Sequence, residues 1–186
     1  MMLKRWLSAL LVSLLPLSAA VAKDDFVVQD AKTRLEGGVY LLDAEVDYRF
    51  SSKALEALEN GVPLVLVLDI EVEKKRPWWW YDSEVASLEQ RFEIQYHALS
   101  DQYLLSNLNS GALYAYPTLS STADAVGHIR GLPLLDANLI EPDASYEVQL
   151  RSRLDIESLP SPLRPLAYVT PGWRLSSDWY ECTLSP

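Results

Sequence analysis

YEVQLRSRLDI, Tyr146 to Ile156, places Tyr146, Val148, Leu150, Leu154 and Ile156 at even positions and Glu147, Gln149, Arg151, Arg153 and Asp155 at odd ones. Successive residues of a β-strand face opposite sides, so this is a strand with one dry and one wet face. The same period recurs in residues 39–50, where Tyr40, Leu42, Ala44, Val46, Tyr48 and Phe50 alternate with Asp43, Glu45, Asp47 and Arg49. It recurs in 62–73, where Val65 and Val67 make the first half apolar on both faces and predict a central or helix-covered strand. It recurs again in 88–98, with Leu88, Phe92, Ile94 and Tyr96 inward and His97 on the wet side. Val85 is odd and Leu88 even, so the parity slips between them and predicts a bulge. Shorter strands are expected near 26–34, 102–108, 112–116 and 173–183.

Two short helices interrupt the strands. Ser51 or Ser52 caps a helix over 53–59 that Asn60-Gly61 ends, and Thr118 or Ser121 caps one over 119–130 that Gly131 ends. The apolar stripe of the second is Leu119, Ala123, Val126 and Ile129, and His128 falls off it. The prolines from Pro133 onward mark surface loops. With no βαβ rhythm, the pattern predicts a mainly β chain: an antiparallel β-sandwich, immunoglobulin-like in general architecture, with two short helices.

The N-terminus reads as a signal peptide over residues 1–22. Lys4 and Arg5 precede an apolar run from Trp6 to Leu17, and Ala20-Val21-Ala22 forms an A-x-A cleavage site. Residues 23–186 are then a single β-sandwich domain, exported to the periplasm, with no transmembrane segment after cleavage. The chain is acidic, with a formal charge of −10, which argues against nucleic-acid binding. Its one cysteine, Cys182, cannot form an internal disulfide and reads as a buried small hydrophobe, a mixed disulfide with a partner remaining open.

KKRPWWWYD, residues 74–82, follows the second long strand. Pro77 cannot donate to a ladder and marks an edge or turn. Arg76 with Trp78, Trp79 and Trp80, joined by Trp173 and Trp179 if the C-terminal strand lies alongside, forms the candidate partner-binding surface, because Trp, Tyr and Arg dominate interface hot spots. Packing at the end of the sandwich is the competing role for these rings. Catalysis finds weaker support. His97, with Asp101 nearby, lacks a nucleophile elbow. Two separated histidines and one cysteine offer no zinc spacing, so neither cofactor nor metal is expected. Asp43, Glu45 and Asp47 line a strand face, where pairing with Arg151 and Arg153 or plain solvation outweighs calcium binding.

Gly61-Val-Pro-Leu64, Arg76 with Trp78 to Trp80, Tyr96-His97-x-Leu99 with Tyr103, Leu154-Asp155 followed by Leu159-Pro160, and the Trp173 to Trp179 segment WRLSSDW together resemble a bacterial exported family catalogued as domain-of-unknown-function family 4390. The resemblance covers nearly all of residues 23–186 and implies no established activity. Some relatives are encoded beside membrane sensor-kinase genes, which implies an envelope partner. The expectation is therefore a non-catalytic periplasmic interaction or regulatory module acting with a membrane protein such as a sensor kinase. The alternatives are a module that stacks a sugar or lipid headgroup on the tryptophans, with transient membrane-surface contact, and a hydrolase centred on His97.

Overall fold

Leu64, Leu66, Leu68, Ile70 and Val72 are all completely or almost completely buried, at 0–1% exposure, on one face of β3 (Leu64–Lys74). That row is the centre of a core shared by two antiparallel sheets. The computed structural model describes residues 25–76 and 83–185. Among these, β1 (Phe26–Glu36), β2 (Val39–Tyr48) and β7 (His128–Asp136) form a three-stranded sheet in the order β1-β2-β7. The second sheet has six strands, in the order β6-β5-β4-β3-β8-β9. It is built from β3, β4 (Ser83–His97), β5 (Gln102–Asn107), β6 (Leu113–Tyr116), β8 (Tyr146–Leu154) and β9 (Tyr180–Thr183). The mainly β, two-sheet architecture expected from the alternation is what the chain adopts.

β3 lies between β4 and β8, which explains its two apolar faces: Val65 and Val67 are buried on the side away from the core row. The parity slip is a bulge. Val72 pairs with Ala86 and Glu73 with Glu84, which leaves Val85 as the extra residue. Gly37 and Gly38, both at positive φ (59° and 83°), make the two-residue turn between β1 and β2, a conformation that side chains resist. α1 (Ser52–Glu59) begins where the Ser51 hydroxyl accepts from the Ala54 amide, and α2 (Leu119–Gly127) where the Thr118 hydroxyl accepts from the Ser121 amide.

Besides the last strand, which begins only at Tyr180 and not near 173, two elements depart from expectation. The second helix stops at Gly127, and the chain runs straight into β7 instead of continuing to Arg130. β7 carries both Gly131 and Pro133, residues that punctuate most strands. It tolerates them as an edge strand with two register shifts against β2. At one of these the Gly131 amide donates to the Asp43 carboxylate at 2.7 Å, so the bulge leaves no orphan donor there. The second departure is a third helix, α3 (Arg164–Val169), within the proline-rich stretch expected to be loop. Pro165 sits in its first turn, where a missing N–H costs nothing.

The sandwich is closed along one side. There the Thr33 hydroxyl of β1 donates to the Thr183 carbonyl of β9 and accepts from the Ser185 amide at 2.7 Å. A buried polar tie joins the layers, from the Ser152 hydroxyl on β8 to the Tyr48 hydroxyl on β2 at 3.0 Å. No helix among the described residues is long and apolar enough to cross a membrane.

Candidate functional site

The opposite side of the sandwich stays open. Three strands cannot cover six, so the inner faces of β4, β5 and β6 extend past β7 and are roofed only in part by α2. The gap is a cleft of about 440 Å³. It is lined by Phe92, Leu105, Tyr114 and Tyr116 on one side and Ile129 and Leu132 on the other, with the polar Gln90, Asn107 and Arg130 and the histidine His128 among them. The His128 Nδ1 lies 2.6 Å from the Asp124 carbonyl, which can only accept. The ring therefore donates from Nδ1, and in its neutral form Nε2 is left as an acceptor.

β6 borders this cleft and is an outer strand of its sheet. The Asn107 amide donates to the Ala112 carbonyl at 2.8 Å, which fixes the phase of the β5/β6 ladder. Main-chain groups alternate sides along an antiparallel strand, so Tyr114 and Tyr116 bond toward β5 while Leu113 and Ala115 direct their N–H and C=O outward. Among the described residues no hydrogen bond outside the ladder reaches the main chain of either. Leu113 and Tyr114 are 62% and 56% exposed. Edges are usually blunted by charge, proline or a bulge. Here the chain carries no charged residue from Gln102 to Ala123, all of β5, β6 and the first half of α2. That charge-free window was the sequence signal for this site, and its short, weakly alternating strands hid it.

The residues singled out from sequence are dispersed. Pro77, Trp78, Trp79 and Trp80 lie outside the described residues. Arg76 is exposed just beyond the Lys74 end of β3. Trp173 is 6% exposed and packs beside Val62 at the Leu64 end, so it and Arg76 are separated by the length of the strand. Trp179 is 37% exposed and lies under the Arg151 guanidinium, 4.6 Å from its ring centroid.

Arg151 belongs to a charge network on the outer face of the six-stranded sheet. It and Arg153 both bond to Asp69, at 3.1 and 2.9 Å, across the β3/β8 ladder. They therefore pair with Asp69, and the Asp43 row finds other cations: Asp43 meets Arg34, Glu45 meets Arg130 at 2.7 Å, and Asp47 meets Arg49 at 2.6 Å. Burial pushes the Asp69 carboxyl up, but the Arg153 and Arg151 guanidiniums outweigh it and hold it below its ordinary value. Asp155 behaves alike: burial raises it, and bonds from the Ser158 hydroxyl at 2.6 Å and Arg91 at 2.5 Å bring it lower. Glu71, on the same face, is raised by burial and by the Glu84, Glu73 and Asp69 charges. His97 ends β4 in an exposed turn, its Nδ1 2.9 Å from the Ser100 hydroxyl. Asp101 does not orient it, because that carboxylate takes the Tyr96 hydroxyl at 2.8 Å. The Cys182 thiol is half-buried and pushed up to about 11, first by burial and then by the Glu147 and Asp30 charges.

An antiparallel two-sheet sandwich, closed on one side and open on the other, is thus the class of protein. The chain belongs to the family described as Domain of unknown function (DUF4390), whose model matches residues 23–183. Neither a curated protein nor a solved structure is similar enough to match it.

Proposed function

We propose that this is an exported, periplasmic, non-catalytic interaction module that receives an extended segment of an envelope protein as an added strand on β6. The observation that carries it is the uncharged β6 edge, with the outward donors and acceptors of Leu113 and Ala115 beside a cleft of mixed apolar and polar lining. An added strand satisfies those four groups, and its alternate side chains enter the cleft, giving affinity from the backbone and selectivity from the pocket. The placements of His97 and the paired carboxylates support a non-catalytic role. The family resemblance makes a membrane sensor kinase the first partner to examine.

The test places a photo-cross-linking residue in cells at position 113, and at the exposed position 99 as a control. A discrete heterologous adduct from 113 alone, lost when Ala115→Pro removes one edge donor at an unchanged melting midpoint, is the expected result. No adduct, the same adduct from 99, or an adduct of two copies of this chain refutes the reading. The cleft volume also lies in the range of small-ligand sites, which makes an apolar small molecule the second reading. Saturable binding of a medium-chain fatty acid that survives Ala115→Pro and is blocked by Leu132→Trp would favour it.

A further inference from the structure

The six-stranded sheet has a second stretch of open edge, away from β6. β4 is 15 residues long, but β5 pairs only with Phe92 to His97. Just before Phe92 the loop after β5 takes over. The Leu108 amide donates to the Arg91 carbonyl at 2.9 Å, the Arg91 amide to Asn109 Oδ1 at 2.7 Å, and Asn109 Nδ2 to the Glu89 carbonyl at 2.9 Å. These bonds fix which residues of β4 turn their main chain to that side. Main-chain groups alternate along an antiparallel strand, so Ser87 directs its N–H and C=O outward as Arg91 and Glu89 do. Among the described residues nothing bonds to either group of Ser87 or to the Glu89 N–H. The opposite flank is laddered to β3 from Ile94 to Ser83, so the strand is held in shape where its outer edge is bare. Ladder groups left without a partner are a template for another strand.

The side chains around this edge define the strand it takes. On the inner side Ala86 and Leu88 are half-buried and pack against the core, so every second residue of an incoming strand meets apolar surface. On the outer side stand Glu71, Glu73 and Glu84, with Glu71 across from Ser87 and Glu73 across from Glu84. Among the described residues none of these three lies in a salt bridge, because the nearby cations are engaged elsewhere. Arg151 and Arg153 hold Asp69, Lys75 holds Glu147, and Lys74 holds Glu141 at 2.5 Å. Arg76 has a partner of its own. The Glu71 carboxyl registers the excess: beyond burial, the charges of Glu84, Glu73 and Asp69 raise it, and Arg151 opposes them. No described carboxylates converge as a metal ion requires, so the complementary charge is that of side chains. A second copy of this chain fits poorly, because pairing two such edges sets glutamates against glutamates.

We infer that the open edge of β4, residues 83–90, binds an extended segment of another protein in which lysines or arginines alternate with apolar residues. Its main chain pairs with Ser87 and Glu89, its apolar side chains cover Ala86 and Leu88, and its cations face Glu71, Glu73 and Glu84. The site is separate from β6, so either reading can fail without the other. The probe is a fluorescein-labelled Lys-Val-Lys-Val-Lys-Val peptide, with Glu-Val-Glu-Val-Glu-Val as its acidic counterpart, titrated at low ionic strength and followed by anisotropy. The basic peptide should bind saturably and the acidic one should not. Ser87→Pro removes an edge donor and should weaken binding about tenfold, the equivalent of one hydrogen bond. Glu84→Lys, on the exposed outer face, should weaken it about fivefold. Ala115→Pro on β6 should leave it unchanged. Thermal melts verify folding, and if Ser87→Pro does not fold, Glu84→Lys carries the test. No saturable binding of the basic peptide, equal binding of the acidic one, or unchanged affinity in either folded variant overturns the inference. So does a loss produced by Ala115→Pro, which would assign the peptide to β6.

Discussion

Gly127 ends α2 directly against β2, and replacing it by alanine is the sharpest test of how helix and sheet fit together. A Cβ built there lies 2.2 Å from the Val46 carbonyl oxygen and 3.8 Å from the Tyr48 ring. The first distance falls roughly 1.3 Å short of a normal contact of about 3.5 Å. The obstacle is backbone, so no rotamer change relieves it, and either β2 or the start of β7 must move. Two effects oppose each other. Alanine restricts the unfolded chain and gains about 0.4–1 kcal/mol, whereas overpacking with backbone displacement costs about 1–3 kcal/mol or more. The clash wins, and Gly127→Ala should lose about 2 kcal/mol net, lowering the melting midpoint by about 4–8 °C for a domain of this size. Urea unfolding followed by tryptophan fluorescence gives the free energy, with Ser120→Ala on the exposed face of the same helix as a control expected to change little. A Gly127→Ala protein as stable as wild type would refute the close approach of α2 to Val46. It would also undermine the shape of the cleft, because the same junction aims Ile129 and Leu132.

Stability should vary with pH in two opposing steps. Asp69 and Asp155 sit below their ordinary values when folded, so the stability they contribute is fully present above the unfolded value of about 3.9 and is lost as pH falls from there through their lower folded values. Glu71 is raised, so its protonation as pH falls toward about 4.5 favours the folded state. Denaturant midpoints measured across this range should show a shallow gain and then a loss, and Glu71→Gln should remove only the gain; a monotonic profile unaltered by that change would be incompatible with the network. Cys182 should react with a thiol-specific disulfide reagent far more slowly at neutral pH in the native protein than in urea, because burial keeps the thiol protonated; equal rates would mean that the thiol is open.

Local signals carried the fold well where the local pattern coincided with the tertiary environment. The alternation of β2, β3, β4 and β8 marked their wet and dry faces, the hydroxyls of Ser51 and Thr118 marked helix starts, and the odd-to-even slip marked the Val85 bulge. β7 was illegible because its local chemistry argues against a strand: Gly131 and Pro133 are acceptable only at an edge, and edge position is a property of the whole sheet. α3 hid in a proline-rich stretch for a similar reason, since a single turn anchored by Ala167 leaves no periodic stripe. The charge network depended on register. Asp69 meets Arg151 and Arg153 across distant parts of the sequence, and nothing local distinguishes that pairing from one with Asp43. The candidate site was the least legible, because an uncharged run becomes informative only when the topology shows that it forms an unshielded border.

β3 has a consequence for scale. Its 11 residues are separated by steps of about 3.3 Å, so from first Cα to last it runs about 33 Å, from the α3 end to Lys74, where the chain passes into Arg76 and the tryptophan segment. Stiffened by ladders on both flanks, the strand behaves as a spacer of fixed length. Trp173 at one end and Arg76 at the other therefore cannot serve one small ligand.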